Sequence, residues 1–302
     1  MYDLIVIGGG PAGLTAAIYA IRKRLKVLLV SKDLGGKTNY HLEMAAMDSH
    51  WVIRGAEVVD AFKSELEYLK FARHMEPVEQ VAREEDGTFV VYTKGGGELT
   101  TKSVIIATGA QQKWLNVPGE REFLSKGLCY SALSYAPLFI DKETTVIGEG
   151  LLALRSAAEL AVVAAHVNVV GPTGQILHTP LGRKVTAAKN VTIWEGYEVL
   201  EVLGNGYATA LKVQSPTGQV LELPADGMFV EKALIANTDM IADLVDLDEN
   251  GFVVVDSYGR TNIPGLFAAG DVTNIFAEQV LVAVGEGAKA ALSAYDYLLP
   301  ML

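Results

Sequence analysis

The stretch Asp3-Leu4-Ile5-Val6-Ile7-Gly8-Gly9-Gly10-Pro11-Ala12-Gly13 decides how this chain is read. After Asp3 it is apolar and rich in β-branched residues, the composition of a buried parallel strand. Glycines follow at G-x-G-x-x-G spacing, then an Ala-rich helical segment from Pro11 to Arg24, then a second apolar strand ending at Val30. In a strand-turn-helix-strand order each glycine has a task. Gly8 permits the sharp turn, Gly10 lets backbone approach a pyrophosphate, and Gly13 lets helix pack on strand. The helix N-terminus around Pro11 and Ala12 offers N–H groups and the positive end of the helix dipole. The expectation is a dinucleotide-binding βαβ unit.

Working outward, Ser31, Lys32 and Asp33 follow the second strand, where such a unit places a ribose-binding acid. Ser31 stands at that point and Asp33 two residues on; either side chain can accept a hydroxyl hydrogen bond, and the contact stays unassigned. Gly35 to Thr38 (GGKT) makes another close-approach turn or an ordinary loop. Residues 58 to 73 have helical periodicity, with Val58, Val59, Phe62, Leu66, Leu69 and Phe71 expected near one side. Phe89 to Thr93, a KGGG turn and a strand ending in Ala107-Thr108-Gly109-Ala110 read as a hairpin leading to a small-residue strand end.

The same grammar then starts again. A strand over Thr144 to Gly148 leads into Gly148, Gly150 and Ala153 at G-x-G-x-x-A spacing, a helix from Leu151 to Ala165 and a strand over Val167 to Gly171. Gly8 and Gly148 lie 140 positions apart, so the chain holds two dinucleotide-type units. It closes with Gly265-Leu-Phe-Ala-Ala-Gly270-Asp271 and a long helix from Glu278 to Leu298. Asp271 directly follows that strand and can reach a sugar or ribityl hydroxyl, while Glu278, Gln279 and Val280 open the helix.

Composition bounds the function. With 302 residues, half of them apolar, about two domains are expected, and a net charge of -11 argues against a nucleic-acid surface. Apolar runs are too short for a membrane span, and no secretory leader pattern is evident, so a cytoplasmic protein is expected. Cys129 is the sole cysteine, which excludes an internal disulfide. His41, His50, His74, His166 and His178 lack metal-ligand spacing, and no metal is expected.

Together VIGGGPAG, SVIIATGA, a second glycine turn of the form G-x-G-x-x-A, and FAAGD followed by EQV before a final helix resemble the low-molecular-weight thioredoxin reductases. The resemblance implies an α/β fold of two Rossmann-like dinucleotide-binding domains, the second inserted in the first. An FAD domain would comprise residues 1–112 and 239–302, with an NAD(P)-type domain at 113–238, in a homodimer. It puts Gly8, Gly10 and Gly13 on the FAD pyrophosphate, Gly36, Lys37 and Thr38 near the flavin, and Thr108, Gly109 and Ala110 along the cofactor. Gly270 and Asp271 would sit at the ribityl chain, and Gln279 and Val280 would offer N–H groups to the flavin's pyrimidine edge. A small redox protein or dithiol would be the partner.

Two departures qualify that resemblance. Where the family has Tyr-Cys-Ala-x-Cys this chain has Tyr130-Ser131-Ala132-Leu133-Ser134, and a hydroxyl cannot carry out thiol exchange. Cys129 would face away from Tyr130 on an extended segment, either as a small buried residue or as a thiol for a mixed disulfide with a partner. In the second unit, Gly171-Pro172-Thr173-Gly174-Gln175 replaces the family's His-Arg-Arg run, and Arg155 stands where the family has glutamate. The expectation there is weakly bound, unselective NAD(P)H or a second FAD, with an empty relic site as the alternative. Three functions follow: a flavin oxidoreductase without its own dithiol, a ferredoxin- or flavodoxin-NAD(P) reductase, or a non-enzymatic FAD-binding sensor or scaffold.

Overall fold

Leu4, Ile5, Val6 and Ile7 are at most 2% exposed, as a strand covered on both faces requires. In a computed structural model, which describes residues 1–39, 54–130 and 135–302, they lie in β1 (Tyr2–Ile7). Helix α1 (Pro11–Arg22) follows and then β2 (Val27–Val30), parallel to β1 with Leu4 opposite Val27. The helix stops two residues short of the expected Arg24. Arg24 takes a left-handed φ of 63°, its N–H donates to Ile21 O, the Leu25 N–H donates to Ala20 O, and Leu25 is buried behind it. That paired closure ends a helix on one left-handed residue, a place usually given to glycine.

Helix α2 (Arg54–Tyr68) buries Val59 and Leu66 and packs Phe62 and, just beyond its end, Leu69 against the same core. Val58 and Phe71 depart from the expected face, at 36% and 78% exposed. Positions 59, 62, 66 and 69 keep the three-four-three spacing of one stripe, whereas 58 falls about 100° away. Phe71 lies past the helix in a short 3-10 turn, Lys70–Ala72.

Strands β3 (Arg73–His74), β4 (Val78–Arg83), β5 (Phe89–Thr93) and β6 (Glu98–Ile106) extend the sheet in the order β3-β2-β1-β6-β5-β4. Beyond β6 the chain runs through β7 (Ala110–Gln112) into a second unit. There β8 (Leu128–Cys129), β9 (Glu143–Ile147), β10 (His166–Val170), β11 (Val191–Trp194) and β15 (Gly227–Val230) form a parallel sheet ordered β11-β10-β9-β15-β8. Helix α3 (Leu151–Val163) connects β9 to β10, ending two residues before the expected Ala165. An antiparallel meander of β12 (Glu198–Asn205), β13 (Tyr207–Gln214) and β14 (Val220–Pro224) precedes β15.

The chain leaves the second unit through β16 (Leu234–Ala236), and β17 (Leu266–Ala268) then joins the first sheet beside β6. The last helix, α4 (Val280–Leu298), lies against α1 so closely that a Cβ on Gly287 would come 2.1 Å from the Ala12 carbonyl oxygen. By contacts the described residues fall into two compact units, 1–39 with 54–111 and 235–302, and 112–130 with 135–234. Residues 235–238, placed by sequence with the inserted segment, pack with the first unit. No helix among the described residues is long and apolar enough to cross a membrane.

Candidate dinucleotide sites

The glycine turn of the first unit is built on contacts that no other residue permits. A Cβ on Gly8, whose φ is +110°, would meet the Ala107 carbonyl oxygen at 2.2 Å, and one on Gly13 would meet Gly8 O at 1.8 Å. These two hold strand, turn and helix together. Gly10 differs: it caps α1 without a side-chain bond, and a Cβ there would meet nothing within 4 Å. The first N–H groups of α1, beside that open space, have no intrahelical acceptor. Ala12 takes part only through its backbone, because its side chain packs 2.9 Å from the Cβ position of Gly270.

The neighbouring loops are laced to that turn. The Gly35 N–H donates to Gly9 O, the Ser31 hydroxyl donates to Asp33 O at 2.7 Å, and Asp33 Oδ1 accepts from the Gly36 N–H at 3.1 Å. Ser31 keeps its acceptor lone pairs beside Gly9, while Lys32 is exposed. The Thr38 hydroxyl is spent on Gly35 O. Gly36, with φ +56°, sits against Gly10, where a Cβ would lie 3.1 Å from the Gly10 Cα.

Lys37 is the centre of an ionic cluster. Its ammonium lies 2.6 Å from Asp271 Oδ2 and 4.0 Å from Glu278 Oε2. Asp271, expected from its position to reach a sugar or ribityl hydroxyl, is thus ion-paired with Lys37. Burial, together with the Asp271 charge, raises the Glu278 pKa despite Lys37. Glu278 and Gln279 precede the helix instead of opening it, with Gln279 as the cap. The Gln279 N–H already donates to Ala277 O, which corrects its expected role as a donor, whereas the Val280 N–H lies in the first turn and lacks an intrahelical acceptor.

Sequence reasoning missed Asn237. Its Nδ2 donates to Thr108 O, its own carbonyl accepts the Thr108 hydroxyl, and its N–H donates to Gly109 O. It thereby fixes Thr108-Gly109-Ala110, Gly109 in a left-handed conformation at φ +68°. A polar residue between β16 and a 3-10 turn carries no motif, so nothing local announces it.

The second unit repeats the geometry. A Cβ on Gly148 would lie 2.2 Å from Glu231 O and 2.9 Å from the Ala153 Cβ, and Gly150 again faces open space. Leu151 is 44% exposed at the head of α3, and Gly171 turns at φ +109°. A cavity of about 210 Å³ opens here, lined among others by Gly148, Glu149, Gly171, Tyr197, Glu198 and Lys232. Below it Glu231, 3% exposed, accepts from the Ser156 hydroxyl at 2.9 Å.

Cys129 is 6% exposed within the apolar cluster around Phe139 and Phe229, while Tyr130 packs on the other side of the strand with Leu128 and Met228. The Tyr130 hydroxyl donates to Glu120 Oε1 at 3.0 Å, and burial with that carboxylate pushes the phenol pKa up. Ser131 and Ser134 lie outside the described residues. No grouping of metal-ligating side chains occurs among the described residues.

Two βαβ units, each with an unobstructed glycine turn at a helix N-terminus, define an α/β protein of the dinucleotide-binding class. The chain belongs to the pyridine nucleotide-disulphide oxidoreductase family, whose pattern matches residues 2–287. It is 36% identical over 303 residues to the F subunit of alkyl hydroperoxide reductase from Pseudomonas putida, covering 99% of this chain and 58% of that protein. The corresponding F subunit from Staphylococcus aureus (strain MRSA252) is 34% identical, with 99% and 59% covered. The chain therefore spans less than two thirds of the length of these relatives. Thioredoxin reductase from Streptococcus pyogenes MGAS5005 superposes with a TM-score of 0.89 at 32% identity, covering 99% of both proteins. The Giardia duodenalis thioredoxin reductase gives 0.87 at 27%, again covering 99% of both.

Proposed function

We propose that this chain is an FAD-dependent oxidoreductase that passes electrons between its flavin and an external partner without a redox dithiol of its own. The observation that carries the reading is the pairing of an open glycine cradle at Gly10 with a sequence whose one cysteine, Cys129, is buried in a strand. The first unit would hold FAD and the second unit a further dinucleotide, in a homodimer. When bound, FAD supplies two-electron redox chemistry. The N–H groups at the start of α1 would hold its pyrophosphate, and Ser31 would be placed to accept from its adenosine ribose. Lys37 and Asp271 would stand on its ribityl and flavin side, and the Val280 N–H with the positive end of α4 would favour negative charge there.

With serines at 131 and 134 the final acceptor has to bring its own redox group. A small redox protein or a disulfide substrate fits that need, in keeping with the thioredoxin reductases and alkyl hydroperoxide reductase subunits to which the chain is similar. The test is spectroscopic. Purified protein, supplied with FAD, is expected to retain a flavin absorption band and to bleach it anaerobically with a reduced nicotinamide. An insulin-reduction assay with thioredoxin is expected to stay at background. Absence of a flavin band overturns the reading, and full thioredoxin turnover overturns the missing-dithiol part of it.

A further inference from the structure

We infer that the second unit is built for an adenine dinucleotide whose adenosine ribose carries a free 2′-hydroxyl, and that Glu195 is the residue that turns away a 2′-phosphate. The inference rests on reading residues 143–194 as a dinucleotide-binding unit. In such units the ribose is read just beyond the second strand, by an acid for the hydroxyl or by a basic residue for the phosphate. Here that place is 171–175, which by sequence holds neither.

Folding brings the acid from elsewhere. Strands β10 and β11 are parallel with Val170 opposite Trp194, so their ends come level. The Gly171 N–H donates to Trp194 O at 3.2 Å, and the Gly196 N–H donates to Pro172 O at 3.4 Å. Across this seam the Gly174 N–H donates to Glu195 Oε1 at 3.1 Å. The carboxylate therefore lies against the loop after the second strand although its residue follows the third. One oxygen takes the Gly174 N–H, and the carboxylate keeps acceptor sites that suit ribose hydroxyls and repel a phosphate dianion.

The surroundings have the same sign. Glu149 and Glu198 line the adjoining cavity, and its one lysine, Lys232, has its ammonium 3.6 Å from Glu149 Oε1. Arg183, farther along, donates its guanidinium to the His178 carbonyl. NADH and FAD both carry a free 2′-hydroxyl and both satisfy this chemistry, whereas NADPH does not.

The test uses the FAD-saturated full chain and two redox-inert fragments, ADP-ribose and 2′-phospho-ADP-ribose. Binding is followed by calorimetry and by fluorescence of Trp194, which adjoins the site. ADP-ribose is expected to bind about tenfold tighter or more. Glu195→Gln is expected to weaken ADP-ribose and strengthen the phosphorylated fragment, bringing the two within about threefold, with flavin spectrum and melting unchanged. Opposite movement of the two affinities is not what a merely structural role produces. Should the glutamine variant fold poorly, Glu195→Ser serves the same comparison. If the chain carries two FAD molecules, the occupant is flavin, and Glu195→Gln is expected to lower the second occupancy. Equal affinities, preference for the phosphorylated fragment, binding of neither, or a second FAD indifferent to Glu195→Gln each overturn the inference. Because the fragments carry no flavin or nicotinamide, these outcomes are distinct from failure of the oxidoreductase reading, which shows in the flavin band alone.

Discussion

Asn237 and Thr108 hold each other by reciprocal hydrogen bonds, the amide Nδ2 giving to the Thr108 carbonyl and the Thr108 hydroxyl giving to the Asn237 carbonyl, at 2.9 and 2.7 Å. Asn237→Ala removes the first bond and leaves the backbone-accepted one. A loss of about 1–2 kcal/mol is expected, since a side-chain bond is gone and a half-buried carbonyl is left short of a donor. Chemical denaturation of the flavin-free protein measures it, and unchanged stability would refute the clasp.

Gly10 separates folding from binding. Its backbone, at φ -76°, suits alanine, and the added methyl meets no protein atom within 4 Å. Gly10→Ala is expected to melt like the parent when flavin-free yet to bind FAD at least about tenfold more weakly, because the methyl fills the space of the pyrophosphate. Flavin titration decides it; undiminished affinity would move the cofactor away from this turn. Gly13→Ala, by contrast, should disturb the fold, its methyl lying 1.8 Å from Gly8 O.

Glu278 predicts a pH dependence. Burial raises its folded pKa above the ordinary 4.5, so the folded flavin-free protein holds this proton to higher pH than the unfolded chain does. The group's contribution is complete below the unfolded value and is lost as pH rises through the folded one. Glu278→Gln is therefore expected to gain on the parent at pH 7 to 8, with the advantage shrinking toward pH 4.5. Melting curves of both proteins across that range check the sign; a gap that widens on acidification contradicts it.

Thr145, in the middle of β9, is fully buried with no hydrogen-bond partner for its hydroxyl. Thr145→Val keeps the shape and removes the unmet polar group, and a gain of about 1 kcal/mol is expected from denaturant midpoints. A destabilised valine variant would mean that the hydroxyl is bonded in solution.

Both βαβ units were legible because their signals are local: an apolar run, spaced glycines and small helix residues lie within thirty positions of one another. The same locality explains the errors. Arg24 ends α1 through a backbone conformation its side chain does not advertise, and Phe71 was counted on a helix that had already stopped at Tyr68. Gly8, read as permitting the sharp turn, and Gly13, read as letting helix pack on strand, sit where a Cβ would strike backbone, whereas the Lys37–Asp271 pair joins residues 234 positions apart. Asn237 and Glu195 were invisible for a like reason. Each acts through a loop that the sheet, not the sequence, brings beside it.

The crossing of Ala12 and Gly287 sets a timetable for synthesis. The strands of the second sheet all lie between residues 128 and 230, so that unit is fully emerged while the ribosome is still adding the remainder. The first sheet waits: β6 gains its second parallel neighbour only with β17, and α1 is covered only once Val280–Leu298 has appeared, 258 positions after Arg22. At ordinary elongation speeds that leaves the apolar flank of α1 uncovered for on the order of tens of seconds. A nascent segment whose glycine turn is made so long before the helix that covers it is expected to be a target for chaperones, or for a dinucleotide that binds early.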